Sequence, residues 1–173
     1  MEVTTLDELG RMQLASEAYV ICGDEILMHK RSDTAKKFPG FWIGPGGHID
    51  SNEDALTAAI REVEEETGVK IDEKDIRLKA IAFHYHIDRN ECWISFIFLA
   101  RISKHQDAIE ETAEGRSRWL PLSELVKLEN VFPPSQYYFE HVLNDKPGIL
   151  YTNITWKDSK LVKEQSVRVD KDL

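Results

Sequence analysis

An α/β fold, with a mixed β-sheet sandwiched between α-helices, is what this sequence predicts. Three observations carry that expectation. Strand-like apolar runs come in pairs joined by turn residues, one segment has the periodicity of a core-facing helix, and strand-like and helical stretches then alternate toward the C-terminus. The 173 residues suit one domain spanning 1–173, long enough to bury about 70% of the unfolded chain's surface.

The elements follow in order. Thr5 to Leu14 reads as a short amphipathic lead-in helix. Ala15 to Ile21 and Ile26 to Lys30 read as two strands joined at Gly23-Asp24, a hairpin signal. Arg31 to Gly47 is a loop rich in Lys, Gly and Pro, and a helix follows over about Glu53 to Thr67. Arg77 to Ile87 and Glu91 to Ser103 are strand-like runs hinged at Asp88-Arg89-Asn90, and Lys104 to Gly115 is a polar loop. Arg116 to Leu120 reads as another strand. Ser123 caps a short helix to Leu128, and Pro134 starts a longer one to Leu143. Ile149 to Trp156 and Leu161 to Val169 alternate as a closing hairpin should. The core is expected over about 15–145, with the hairpin over 149–169.

Thirty-one acidic against 22 basic residues give a formal charge of −9. That balance excludes the broad basic surface of a general nucleic-acid binder, so no long nucleic acid is expected as a partner. It also makes a polyphosphate substrate improbable without metal, because the anion would meet a negative field. The two cysteines, Cys22 and Cys92, lie in apolar, strand-like surroundings and read as reduced thiols; no ligand spacing suggests zinc. The N-terminal residues have no basic region followed by an apolar one, and no apolar run is long enough to span a membrane. A soluble, cytoplasmic protein with no membrane partner is the expectation.

The segment richest in information is GHIDSNEDALTAAIREVEEETGV, residues 47 to 69. On a helix, Glu62, Glu65 and Glu66 stand at i, i+3 and i+4 and share one face. Like charges at those spacings cost a helix about a few tenths of a kcal/mol per pair. A hard divalent cation among them relieves that cost, since carboxylate oxygen is the ligand Mg²⁺ prefers. A solvated acidic face is the bland alternative. The surroundings favour the metal. Gly46-Gly47 allows close backbone approach. Ser51, Asn52 and Asp54 are capping candidates, Ala55, Leu56, Ala59, Ile60 and Val63 form an apolar stripe, and Gly68 suits a helix end.

This pattern, Gly-x5-Glu-x7-Arg-Glu-U-x-Glu-Glu-x-Gly-U with U aliphatic, resembles the Nudix box at every specified position. A chance match is expected at about one in a million or less from average residue usage. The resemblance covers about residues 15–145. It implies a Nudix fold and a metal-dependent hydrolase acting on a nucleoside diphosphate linked to another group. It implies Mg²⁺, or Mn²⁺, as cofactor and a small nucleotide as partner. Residue by residue, it makes Glu62, Glu65 and Glu66 metal ligands and Glu53 either the partner that orients Arg61 or an additional ligand through water. Gly47 becomes the loop glycine that leaves room for metal and phosphate. Nudix domains often form homodimers, although no segment here identifies an interface.

Cleaving a pyrophosphate link needs an in-line water and a group to take its proton. The loop before Trp119 offers Glu110, Glu111 and Glu114, and in Nudix enzymes a glutamate often comes from this loop. Glu114 is the choice, with Glu62 the alternative base. Lys30 and Arg31, at the end of the second strand beside His29, are candidates to grip phosphate. Lys36 and Lys37 are better read as solvated. His84, Tyr85 and His86 lie on a strand, where they suit a sheet-face or substrate-side role rather than metal binding.

Residues 131–169 also resemble, more weakly, the MutT-related nucleoside triphosphate pyrophosphohydrolases. Where that branch has an acidic pair that reads an oxidised base, this chain has Pro134-Ser135. A nucleoside triphosphate, modified or not, is the leading substrate class. ADP-ribose enzymes often carry a proline about fifteen residues after the box, and no proline lies between Pro45 and Pro121. Dinucleoside polyphosphate enzymes often carry a tyrosine there, a position Tyr85 fills. A nucleotide-sugar pyrophosphohydrolase and a non-catalytic nucleotide-binding module remain as alternatives.

Overall fold

The computed structural model describes residues 11–109, 111–158 and 160–169, and the side chains of 12–109, 111–158 and 160–163. Nine strands form one mixed sheet: β1 (Arg11–Cys22), β2 (Glu25–Arg31), β3 (Trp42–Ile43), β4 (Gly46–His48), β5 (Ile76–His86), β6 (Glu91–Arg101), β7 (Gly115–Pro121), β8 (Ile149–Lys157) and β9 (Lys160–Val169). The order is β3-β2-β1-β6-β5-β8-β9, with β7 along β2 and β4 along β1. The β1/β6 and β5/β8 pairs are parallel and the others antiparallel.

Side-chain alternation sends β1 to both faces. Ala18 and Val20 join Leu27, Phe98 and Ala100 on one face, where helix α1 (Ala55–Thr67) adds Ala59 and Val63. Tyr19 and Ile21 join Ile97 and Leu99 on the other. There α2 (Leu122–Leu125) adds Leu125, and α3 (Phe139–Leu143) with its approach adds Tyr138 and Val142. The sheet therefore lies between helices, as the sequence predicts. Among the described residues no helix is long and apolar enough to cross a membrane.

Helix α1 begins where its chemistry says it should. Of the three capping candidates Asp54 takes the role, its Oδ1 accepting from the Thr57 amide at 2.8 Å. Gly68, at φ 72, closes the helix by donating to the Glu64 carbonyl.

Four expectations change. Ser123 does not cap the helix before Leu128: that helix is α2, preceded by Pro121, and Ser123 lies inside it. The lead-in helix over Thr5 to Leu14 is strand from Arg11 onward, because residues 11–14 continue the parallel ladder with Glu91 to Ile94; residues 5–10 lie outside those described. The loop from Arg31 to Gly47 contains β3 and β4, and β4 can lie against β1 because it is glycine. A Cβ on Gly46 would stand 2.4 Å from the Ser16 carbonyl oxygen. The helix from Pro134 to Leu143 is two pieces, a 3-10 turn over Pro133–Tyr137 and then α3. Tyr138, at φ −128, breaks them and turns its ring inward.

Candidate active site

The polar face of α1 is organised around Arg61. Its Nη1 donates to Glu62 Oε1 at 2.8 Å and to Glu65 Oε2 at 3.0 Å. Its Nε and Nη2 donate to the two oxygens of Glu53, and Nη2 also reaches the His48 carbonyl. One planar fork thus ties the helix to β4 and the preceding turn, which a lysine ammonium would not do. These bonds hold the Glu53 carboxyl down at about 2. Glu53 itself caps the turn by accepting from the Asp50 amide at 2.9 Å.

Glu62 and Glu66 are the inward members of the cluster. Gly47 is where Glu62 needs room, since a Cβ there would stand 2.5 Å from Glu62 Oε1. Glu66 is buried, and its Oε2 accepts from the Gly46 amide at 2.9 Å. Burial pushes its carboxyl up to about 8, and the neighbouring charges of Glu62 and Glu114 push the same way. Burial likewise raises Glu62, assisted by Glu65 and Glu114. Carboxylates crowded until they resist ionisation are what a divalent cation would relieve.

Behind Glu66 stands His29, buried, with Nε2 3.8 Å from Glu66 Oε1. Its tautomer follows from its neighbours. Ser117 spends its one hydroxyl hydrogen on the Glu66 carbonyl at 3.1 Å, so His29 Nδ1, 3.0 Å from the same oxygen, must be the donor. The other ring nitrogen, Nε2, is turned toward the Glu66 carboxyl. Burial lowers the pKa of His29, against the opposing effect of the Glu114 backbone.

These groups form one end of a cavity of about 540 Å³, within the size range of small-molecule sites. Gly46, Gly47, Glu62, Glu65 and Glu66 line its outer end together with Glu114 from the loop before β7. Arg31, Lys36 and Lys37 line the mouth. Arg31 Nε donates to the Lys37 carbonyl, and Lys37 Nζ pairs with Glu91 at 3.0 Å while lying 4.3 Å from the Trp93 ring centroid. At the inner end, on the sheet face opposite α1, lie Ala15, Glu17, Ser95, His84, Trp93 and Trp156. Glu17 is 7% exposed, and burial pushes its carboxyl up to about 7. Burial also lowers His84 to about 4, so its ring is neutral at pH 7.

The structure therefore brings together Glu53, Arg61, Glu62, Glu65, Glu66, Gly47, Glu114 and Arg31, although they span residues 31 to 114. Lys30 and Tyr85 stand apart from these groups. Lys30 Nζ lies 6.0 Å from the Trp42 ring, and Tyr85 donates to Asn90 at 3.3 Å; neither lines the cavity. Lys36 and Lys37, read as solvated, line it. Of the other loop acids, Glu111 pairs with Arg116 and Glu110 lies outside the described residues. Glu17, Trp93 and Trp156 were missed. A charged residue inside the apolar run of β1 was the available signal for Glu17.

The donor set at the outer end is oxygen, which suits Mg²⁺ or Mn²⁺ better than a softer metal. Among the described residues no three His, Cys, Asp or Glu groups converge tightly enough to enclose an ion as they stand, because Arg61 holds Glu62 and Glu65. The glycine cradle beside Glu62 and the crowded carboxyls nonetheless fit a divalent cation.

The NUDIX domain family model matches residues 13–142. The chain belongs to the Nudix family. Its Nudix fold is shared with a mutator MutT protein of Bacillus halodurans, at TM-score 0.75 and 24% identity, covering 89% of this chain and 97% of that one. The Nudix domain of Shewanella oneidensis NrtR, solved in complex with ADP ribose, matches at TM-score 0.63 and 20% identity over 79% of this chain and 90% of that one. A Bacillus subtilis Nudix hydrolase, YvcI, is 27% identical over 68% of this chain and 73% of its own length. The m7GpppN-mRNA hydrolase NUDT17 of Xenopus laevis is 41% identical over 49 residues, 28% of this chain and 17% of that protein's length.

Proposed function

We propose that this Nudix protein is a metal-dependent pyrophosphohydrolase that cleaves a nucleoside triphosphate, modified or not, to the monophosphate and pyrophosphate. One observation carries the reading. A complete set of box carboxylates opens onto a cavity of nucleotide size whose far end is aromatic and polar. Phosphates belong at the charged end and a base at the other.

Glu62, Glu65, Glu66 and the Gly47 backbone would hold Mg²⁺, which when bound supplies charge neutralisation and an acidified water. The chain's own groups do the rest. Arg61, fixed by Glu53, keeps Glu62 and Glu65 on one line of approach. Arg31 and Lys36 at the mouth offer cations to the polyphosphate. Glu114 faces α1 across the outer end and takes the proton of the attacking water; Glu62, with its raised affinity for a proton, is the alternative acceptor. His29 and Ser117 fix the depth of Glu66. A non-catalytic binding module is disfavoured because no box carboxylate is missing.

The test is turnover of a panel with Mg²⁺: canonical and oxidised nucleoside triphosphates, ADP-ribose, dinucleoside polyphosphates and a nucleotide sugar. Phosphate and pyrophosphate are followed separately. Pyrophosphate release from a triphosphate, lost in Glu65→Gln, supports the reading. Release of neither product from any compound by a folded, metal-binding protein rejects it, and turnover confined to another class moves the substrate there.

A further inference from the structure

A carboxylate in the middle of a central strand needs an explanation, because burying an ion costs several kcal/mol unless it is bonded. Glu17 is only partly bonded by the protein. Tyr138 donates to its Oε1 at 2.7 Å and Tyr19 to the same atom at 3.4 Å. Ser135 joins both hydroxyls, 3.3 Å from Tyr19 and 3.5 Å from Tyr138. Two hydroxyls, tied together by Ser135, thus fix one carboxylate oxygen. Among the described residues no hydrogen bond is made to Oε2, and Glu17 lines the cavity.

The surroundings have room for a flat ring. Ala15 and Ser95, neighbours across β1 and β6, are small and make the floor beside Glu17. Trp93, Trp156 and Phe132 line the same cavity, and aromatic rings are the kind of surface on which a base stacks. β4 links this end to the metal-binding end, since Gly46 lies against the Glu17 backbone while its amide bonds Glu66.

We propose that Glu17 is the base-reading residue of the cavity, its Oε2 accepting a hydrogen bond from a purine N1–H, which guanine and hypoxanthine carry and adenine lacks. The proposal rests on the nucleotide reading of the site and sharpens it from nucleotide to 6-oxopurine nucleotide. Ionised, as it is above about pH 7, the carboxylate accepts only. Adenine turns a bare ring nitrogen toward the place where guanine has N1–H, so lone pair meets lone pair. The two tyrosines also determine what a glutamine would do. They would hold the amide oxygen and leave the NH₂ toward the ligand, reversing the preference from donor edges to acceptor edges.

The experiment is calorimetric binding of guanosine, inosine and adenosine 5′-monophosphates with Mg²⁺ to wild type, Glu17→Gln and Tyr138→Phe, each checked for a cooperative melt. Wild type should hold guanosine monophosphate about 10- to 100-fold tighter than adenosine monophosphate, the span of a bond to a charged group. Glu17→Gln should lose most of that ratio through weaker guanosine binding, with adenosine binding unchanged or tighter. Tyr138→Phe, which frees the carboxyl to rotate, should reduce the ratio about threefold or more, and decides the matter if Glu17→Gln does not fold. A wild type without base preference, one that binds none of the three, or variants that weaken all three equally would overturn the proposal. Turnover is scored separately. Preference without hydrolysis rejects the enzyme reading alone, and hydrolysis with an unaltered preference in the variants rejects the base reading alone.

Discussion

At the outer end of the cavity the lining comes mostly from one short stretch, Gly46 to Glu66; at the inner end it comes from residues as far apart as Ala15 and Trp156. The two ends also manage charge differently. The outer end crowds Glu62 and Glu66 together and offsets them with one arginine shared among Glu53, Glu62 and Glu65. The inner end isolates a single carboxyl, Glu17, and bonds it with neutral hydroxyls. The outer arrangement suits a group that must bind a cation; the inner one suits a group that must be aimed. β4 joins the two ends, its Gly46 lying against the Glu17 backbone and its amide bonding Glu66.

The largest expected effect separates the two ends outright. Glu62→Gln and Glu65→Gln should each lower kcat by on the order of 10²- to 10⁴-fold, the usual span for removing a group that acts in the reacting state. Binding of nucleoside monophosphates at the inner end should change little. Steady-state kinetics and calorimetry on the same samples check this, and a parallel loss of base preference would show that the ends are not independent.

Arg61→Lys comes next. The lysine keeps the charge but cannot serve Glu53, Glu62, Glu65 and the His48 carbonyl from one plane. We expect kcat to fall about 10- to 100-fold, with destabilisation of about 1–3 kcal/mol from the acceptors left without their donor. Denaturant melts and rates at saturating Mg²⁺ measure the two losses separately.

A smaller effect is expected in the pH dependence of stability. Glu66 and Glu17 have folded-state pKa values of about 8 and about 7, above the ordinary value of 4.5. The folded protein therefore binds more protons than the unfolded chain between pH 4.5 and those values, so both groups make stability fall as pH rises through that window. His84, lowered from 6.5 to about 4, acts in the opposite sense, its contribution rising between pH 4 and 6.5. The net fall should thus be read from pH 6.5 to about 8 in metal-free protein. Glu66→Gln should flatten the upper part and Glu17→Gln the lower. Added Mg²⁺ should flatten only the part due to Glu66. Thermal melts across that range decide it; a metal-free slope that rises with pH there would contradict the burial of both carboxyls.

The same contrast explains what the sequence made legible. The outer end is a motif because a helix places i, i+3 and i+4 together whatever the rest of the chain does, so Glu62, Glu65, Glu66 and the Gly47 cradle are readable in one line. Asp54 and Gly68, the caps of α1, are local in the same way. The sheet was legible as strands but not as an order, since the parallel β1/β6 and β5/β8 pairings are set by packing across the whole chain. Glu17 carries a sequence signal, a charge inside an apolar run, but its partners Tyr19 and Tyr138 meet it only through the packing of β1 against the segment before α3. Lys30 and Tyr85 lie beside cavity-lining residues in the chain without lining the cavity themselves, because neighbours on a strand point to opposite faces.

Parity also supplies the smallest and sharpest prediction. Tyr85→Phe removes a hydroxyl bonded to Asn90 at 3.3 Å, and Lys30→Ala removes an ammonium 6.0 Å from the Trp42 ring. Both should change stability by about 0.5 kcal/mol or less, as surface substitutions do, and leave KM within about twofold. The adjacent positions on the same strands behave differently. His84→Ala, on the cavity side of β5, should raise KM more than Tyr85→Phe does, and Arg31→Ala at the mouth more than Lys30→Ala. The paired comparison matters because each pair shares a strand and nearly the same sequence distance from the box. Only the face differs. Should Tyr85→Phe prove the more damaging of its pair, β5 would present its other face to the ligand. The inner end would then lose His84 and its register partner Trp93 together.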